Sequence, residues 1–310
     1  MSNRIPLRQN EDLQLQRMAA QRRLYSRAKR ILSWQMVITV ALVVVWSFVE
    51  RWFPMLKVYA ALYGMTAVLL DIAVFTPLQN SLKQKAAGIQ ELFDCYVLDL
   101  PWQEIKAGRR PDAELVAEFS RLPSGVDYSS MKLLDWYPAE SGTVPLFLGR
   151  LICQRANCWW DAKLRRRYAV WILAITCFLS VLVTILGIAR QLSLEAFVLA
   201  DVLPFLPVLV IGIRQAADQR QAATRLDDLK RHSERLWSQA LSGEISEQEL
   251  TRSSRTLQDE IFEQRRQNPL IFDWAYNRLR DEHEELMNKC ASILQMEASA
   301  ALKEIASQTP

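Results

Sequence analysis

Four windows of this 310-residue chain, 31–49, 58–75, 169–188 and 194–213, are each 18 to 20 residues long, predominantly apolar and almost without ionised side chains. A helix rises about 1.5 Å per residue and the hydrocarbon slab of a bilayer is about 30 Å thick, so each window is long enough to span it once. With 50% of residues hydrophobic and 23% charged, neither a disordered polymer nor a collagen-like fibre fits. The expectation is an all-α dominated membrane protein, four transmembrane helices carrying cytoplasmic helical modules.

Charge sets the expected topology. Arg4, Arg8, Arg17, Arg22, Arg23, Arg27, Lys29 and Arg30 precede the first window, opposed only by Glu11 and Asp12. The positive-inside rule keeps such an N-terminus in the cytoplasm, and four crossings return the C-terminus to the same side. Of 38 Lys and Arg, only Arg51, Lys57 and Arg190 then lie outside, in two short turns. The implied divisions are a basic amphipathic helix at 1–30, spans within 31–75, a cytoplasmic middle segment at 76–168, spans within 169–213 and a cytoplasmic helical tail at 214–310. A multi-pass protein with both termini inside suits this pattern. Trp34, Trp46, Trp52, Tyr59 and Trp171 stand near the window ends, where amphipathic rings anchor at the interface.

The pieces differ in character. In 10–30, Leu15, Met18, Ala19 and Tyr25, with Leu32 beyond, mark one helical face, and the basic face either attracts headgroups or forms a solvated stem. The middle segment carries most of the turn chemistry, with helices expected over 79–97 and 146–168 and short helices, loops and a strand or two between. In the tail, Ala222, Leu226, Leu229, Ser233, Leu236 and Ala240 form a narrow seam, within one chain or between subunits. Gly243 ends that helix, Ser246 and Glu249 open the next as a capping box, and Asn268-Pro269 breaks it before a third helix over about 271–306.

Catalytic chemistry is hard to find. The five cysteines, Cys95, Cys153, Cys158, Cys177 and Cys290, form no metal-type pair and read as reduced thiols. His232 and His283 sit among charges and read as solvated helix residues. With no triad, paired carboxylates, phosphate loop or nucleic-acid module, the expectation is a non-enzyme with no cofactor and no DNA or RNA polymer as partner. Asp71 and Asp201 lie inside windows, where an ionisable group should face protein or water. Pro204 and Pro207 favour a kink in the fourth window, so Asp71, Asp201, Pro204 and Pro207 are the candidate pore or gate residues. Just before the third window, Gln154, Asn157, Asp161, Arg165 and Tyr168 share one helical face with Trp160 close to it. Spacing alone reads this face as a salt-bridged stem with a positive collar.

The chain resembles the SMODS-associated four-transmembrane effectors, pore-forming proteins of bacterial cyclic-oligonucleotide-based antiphage signalling (CBASS). The resemblance runs through Arg8-Gln9-Asn10, Ala20-Gln21-Arg22, Leu24-Tyr25 and Ala28-Lys29, then Ile89-Gln90-Glu91-Leu92-Phe93-Asp94 and Leu100-Pro101-Trp102. It continues with Tyr137-Pro138, Cys153-Gln154-Arg155 with Asn157, Trp160-Asp161, Leu164-Arg165, Tyr168, Asn268-Pro269, Asp273-Trp274 and Tyr276. It implies a cytoplasmic sensor for a cyclic oligonucleotide that oligomerises or opens to permeabilise the inner membrane and cause abortive infection. Four spans are too few to enclose a wide pore, so a homo-oligomer in the lipid bilayer is expected. Within that reading Arg155, Asn157, Trp160, Asp161 and Arg165 recognise the ligand or couple it to the third span, with Arg109 and Arg110 as a second basic site. The alternatives are a non-conducting membrane scaffold and a membrane-bound enzyme acting on lipid or nucleotide.

Overall fold

The computed structural model describes residues 2–42, 45–46, 49, 52–122, 125–191 and 193–308. Helix α1 (Asp12–Met36) is entered through extended Glu11, with Asp12 in its first turn, and has no Pro or Gly to break it. A π turn, Val37–Ala41, carries it into the first apolar window, part of which lies outside the described residues. Helices α2 (Lys57–Leu70) and α3 (Thr76–Val97) are joined by a second π turn, Asp71–Phe75. The short α4 (Ala113–Ser120) follows. Helix α5 (Leu146–Ala189) is one rod of 44 residues starting after Pro145, so its length is about 66 Å. A single turn, Leu194–Phe197, and a third π turn, Val198–Val202, lead into α6 (Leu203–Leu241), with Pro204 at its second position and Pro207 inside it. Gly243 takes φ 72° just past its end. Helix α7 (Glu247–Gln267) opens with the Ser246–Glu249 capping box, and α8 (Asp273–Gln308) follows the Asn268-Pro269 break.

Two helical stretches are long and apolar enough to cross a membrane, Val58–Val97 and Leu146–Ala189. Their apolar side chains point away from the protein: Leu62, Leu69, Ile72, Phe178, Val181 and Ile188 are more than half exposed. The fourth window is helical throughout but divided by the π turn. The strand or two expected in the middle segment are absent among the described residues. Residues 125–138 instead form consecutive turns, with Gly125, Lys132 and Asp135 at positive φ, which no extended ladder accommodates.

Packing explains the face patterns. The apolar side of α1, including Met18, Ala20, Leu24 and Ala28, is covered by α3 and α4 through Phe93, Ile89, Val116 and Phe119 and by Leu270, so this side of the helix faces protein. The tail seam on α6 closes within the chain: Leu226 meets Ala162, Leu229 packs by Cys158, Ser233 Oγ lies 3.4 Å from the Leu151 carbonyl, and Leu236 joins Leu148 and Ile152. Higher up the same pair a Cβ on Gly212 would collide with Thr176, and one on Gly187 of α5 with Phe197 in the turn before α6, so both close approaches depend on glycine.

At the centre lies a buried polar network. Asp94 on α3 has no exposed surface and accepts from Tyr137 Oη at 2.6 Å, from Gln258 Nε2 at 2.8 Å and from Arg265. Beside it, Glu91 accepts from Arg255 at 2.6 Å and from Gln258 at 2.9 Å. Gln154 on α5 donates to the Ser254 carbonyl at 2.8 Å and accepts from Ser254 Oγ at 2.9 Å. Burial and the Asp94 carboxylate push the Tyr137 phenol well above its ordinary value, keeping it a donor. Removing one partner of a buried charge pair leaves the other uncompensated, so Asp94→Ala should cost about 3–5 kcal/mol. Tyr137→Phe, which removes one hydrogen bond to a charged group, should cost about 1.5–3 kcal/mol. Melting of the detergent-solubilised protein checks both, with Asp94→Ala the larger loss.

Candidate functional site

A cavity of about 530 Å³ opens beside α5, bounded by α1, residues 132–136, the end of α7 and the start of α8. From α5 it receives Asn157, Trp160, Asp161 and Arg165, four of the five residues singled out on that helix. Their placement follows from the helical face: spacing of three or four aligns them, and α1 and α8 close over the front. Arg22, Lys29, Lys132, Arg165, Arg265 and Arg280 line it against Asp135, Asp161, Asp273 and Glu284, so cations exceed carboxylates. Tyr25, Trp136, Trp160 and Tyr276 supply aromatic surface. Burial pushes the Tyr25 phenol up to about 12 and raises that of Tyr276, so both remain neutral.

The cations gather on Tyr276. Arg22, Lys29 and Arg280 stand 6.0, 5.8 and 5.9 Å from its ring centre, and the Trp160 ring lies 5.0 Å away. Lys29 binds Asp273 at 2.6 Å, Lys132 binds Asp281 at 2.6 Å, and Arg280 pairs with Glu284 while donating to the Lys132 carbonyl at 2.6 Å. Arg22 donates to the Met131 carbonyl and has no carboxylate partner among the described residues. Deeper in, Arg165 binds Asp161 at 3.0 Å and donates to Gln219 at 2.8 Å and to the Pro269 carbonyl at 2.9 Å. Asn157 donates to Tyr137 Oη at 2.9 Å, which joins the cavity wall to the Asp94 network. Asn268 is 2% exposed on the same wall, and neither its Oδ1 nor its Nδ2 has a hydrogen-bond partner.

The other sequence candidates lie elsewhere. Arg155 is not on the cavity: it grips Glu234 at 2.8 Å and approaches Cys290 Sγ at 3.1 Å, tying α5 to α6 and α8. Arg109 is exposed, 3.7 Å from Asp112, and Arg110 covers the Trp102 ring at 5.9 Å. Asp71, on the second π turn, accepts from Gln35, which in turn accepts from Gln79 at 2.5 Å. Asp201, on the third, is 7% exposed and pairs with Arg190 at 3.3 Å. Pro204 and Pro207 sit in the first turns of α6, away from the cavity.

His283 corrects the reading of a solvated helix residue. It is fully buried, its ring 6.0 Å from Trp159 and perpendicular to Trp160 at 5.7 Å. Its sequence neighbours Asp281, Glu282 and Glu284 suggest solvent, whereas the paired tryptophans of α5 pack against it. Sequence reasoning also missed Lys132, Arg265, Arg280 and Asn268 as cavity residues, because each arrives from a segment remote from the α5 cluster. The signal was there for some: Gln21, Arg22, Tyr25, Lys29, Gln90, Asn268, Asp273 and Tyr276, scattered among the short motifs, all line this cavity.

Burial, with Lys163 and Arg167 nearby and Glu282 opposing, lowers the His283 imidazole to about 4. Between pH 6.5 and 5 the unfolded chain therefore takes up a proton that the folded one refuses, so stability falls with pH. His283→Leu should show a smaller drop in melting temperature across that window than the unsubstituted protein.

Residues 3–294 match the family described as the SMODS-associating 4TM effector domain. A protein of Bacillus cereus (strain VD146) described as a "probable CBASS effector molecule" is 24% identical over 211 residues, 68% of this chain and 69% of that protein. No solved structure matches the chain.

Proposed function

The chain belongs to the SMODS-associating 4TM effector family, and on that premise we propose that it is an antiphage effector whose cavity beside α5 binds a cyclic oligonucleotide and whose apolar helices then permeabilise the bacterial inner membrane. The observation that carries this reading is the convergence of the scattered motifs on one cavity with excess cations, aromatic walls and amides. Phosphates ask for the first, bases for the second and third.

The cavity's own ion pairs supply a coupling. Lys29 of α1 and Lys132 of the loop are held by Asp273 and Asp281 on α8, and Arg280 of α8 donates to the Lys132 carbonyl at 2.6 Å. A phosphate competes with those carboxylates for the same cations, so bound ligand loosens α8 from α1 and from the 132–136 loop. A ligand shifts an equilibrium only by its differential affinity for two states, and this exchange provides one. The unbroken α5 then carries the change from Trp160 and Arg165 into its apolar half. In this reading all four apolar windows span the bilayer, both termini stay in the cytoplasm, and several copies assemble around the opening.

Leakage of an ion and a small dye from proteoliposomes, scanned against cyclic di- and trinucleotides, tests it. One nucleotide should switch leakage on. Arg22→Ala should raise the half-maximal nucleotide concentration about tenfold or more, the loss of a charged contact to phosphate. Arg155→Ala should lower the melting temperature and leave the nucleotide response in place. Leakage without nucleotide would remove the sensing role, and no leakage across the panel from folded protein would favour the non-conducting scaffold.

A further inference from the structure

The cavity has two chemically different ends. Around Tyr276 it is cationic, whereas at residues 268–270 the wall is a backbone strap with one amide side chain. That strap is fixed by its carbonyls: Pro269 accepts from Arg165 at 2.9 Å and Leu270 from Gln219 Nε2 at 3.1 Å. The Asn268 backbone N–H is satisfied too, donating to the Gln264 carbonyl at 2.8 Å. Only its side-chain amide is left over, buried and with neither atom paired. Flipping the amide repairs nothing, because donor and acceptor are both without a partner. Buried amides in folded proteins are almost always satisfied, and an exception on a cavity wall points to a group that arrives later.

The chemistry of that group follows from the amide. Asn offers one donor beside one acceptor, the pattern that pairs with the N6 amine and adjacent ring nitrogen of adenine. The O6/N7 edge of guanine asks instead for two donors, as an arginine fork supplies. The guanidiniums flanking this end are occupied, Arg165 by Asp161, Gln219 and Pro269, and Arg265 by Asp94. We propose that Asn268 is the specificity-determining residue of the cavity and that it reads an adenine base, with the phosphates lying toward Arg22, Lys29 and Arg280. The preferred activator is then an adenine-containing cyclic oligonucleotide. This rests on the nucleotide reading of the cavity given above.

Binding to the full-length protein in detergent micelles, followed by calorimetry, separates the two. The probes are cyclic di-AMP, cyclic tri-AMP, cyclic di-GMP and cyclic di-IMP, the last replacing the N6 amine by an oxygen on an otherwise similar ring. The unsubstituted protein should bind an adenine ligand about tenfold or more tighter than its inosine or guanine counterpart. In Asn268→Ala that gap should close to within about twofold, mainly through loss of adenine affinity. Because the adenine–inosine comparison uses unsubstituted protein, a variant that fails to fold does not decide the matter. Equal affinity for cyclic di-AMP and cyclic di-IMP, or a gap that survives in folded Asn268→Ala, would overturn the base assignment and leave nucleotide sensing standing. Binding of none of the probes, with none of a wider cyclic di- and trinucleotide panel bound either, would overturn both.

Discussion

The Asp94 carboxylate governs how this protein is put together. It sits with no exposed surface where α3, α5 and α7 meet, and a lone charge there would be prohibitively costly. Arg265 and Gln258, both from α7, and Tyr137 from the middle segment make it tolerable. Satisfying one buried ion therefore fixes the relative positions of the middle segment and the tail. Tyr137 then passes the constraint on to Asn157, so the position of a cavity residue depends on a charge that never meets the cavity.

Helix punctuation was the most readable part of the sequence. The Ser246–Glu249 cap, the Gly243 stop and the Asn268-Pro269 break act within a few residues, and local chemistry suffices to place them. The apolar windows were legible for the same reason, since hydropathy is a property of contiguous residues; two of them lie on helices long enough to cross a membrane. Tertiary choices were not legible. Whether the α6 seam met its own chain or another could not be read from spacing, because 4-3-4 periodicity is the same in both cases. Burial of His283 was hidden for a related reason: its cover, Trp159 and Trp160, is supplied from more than a hundred residues away.

The α5 cluster shows both sides of this limit. Helical spacing put Gln154, Asn157, Asp161, Arg165 and Tyr168 on one face with Trp160 close to it; Asn157, Trp160, Asp161 and Arg165 line one cavity, whereas Gln154 bonds Ser254 and Tyr168 packs with Ile271. Arg155 looked equivalent by composition, yet it lies on another side of the helix and serves packing. The opposing walls, from α1 and α8, carry charges that in isolation read as ordinary solvated surface. Their meaning is collective: only when Arg22, Lys29 and Arg280 close around the Tyr276 ring does a positive concavity exist.

Among the described residues three π turns, Val37–Ala41, Asp71–Phe75 and Val198–Val202, all fall within apolar windows, and two of them hold the aspartates. Each stores one residue more than regular α-helix needs over the same turn. One residue of helix corresponds to a rotation of about 100° and an advance of about 1.5 Å. These helices thus contain built-in slack, and passing the extra residue along the rod re-aims every side chain it crosses, in the manner of a screw thread, without breaking the backbone ladder.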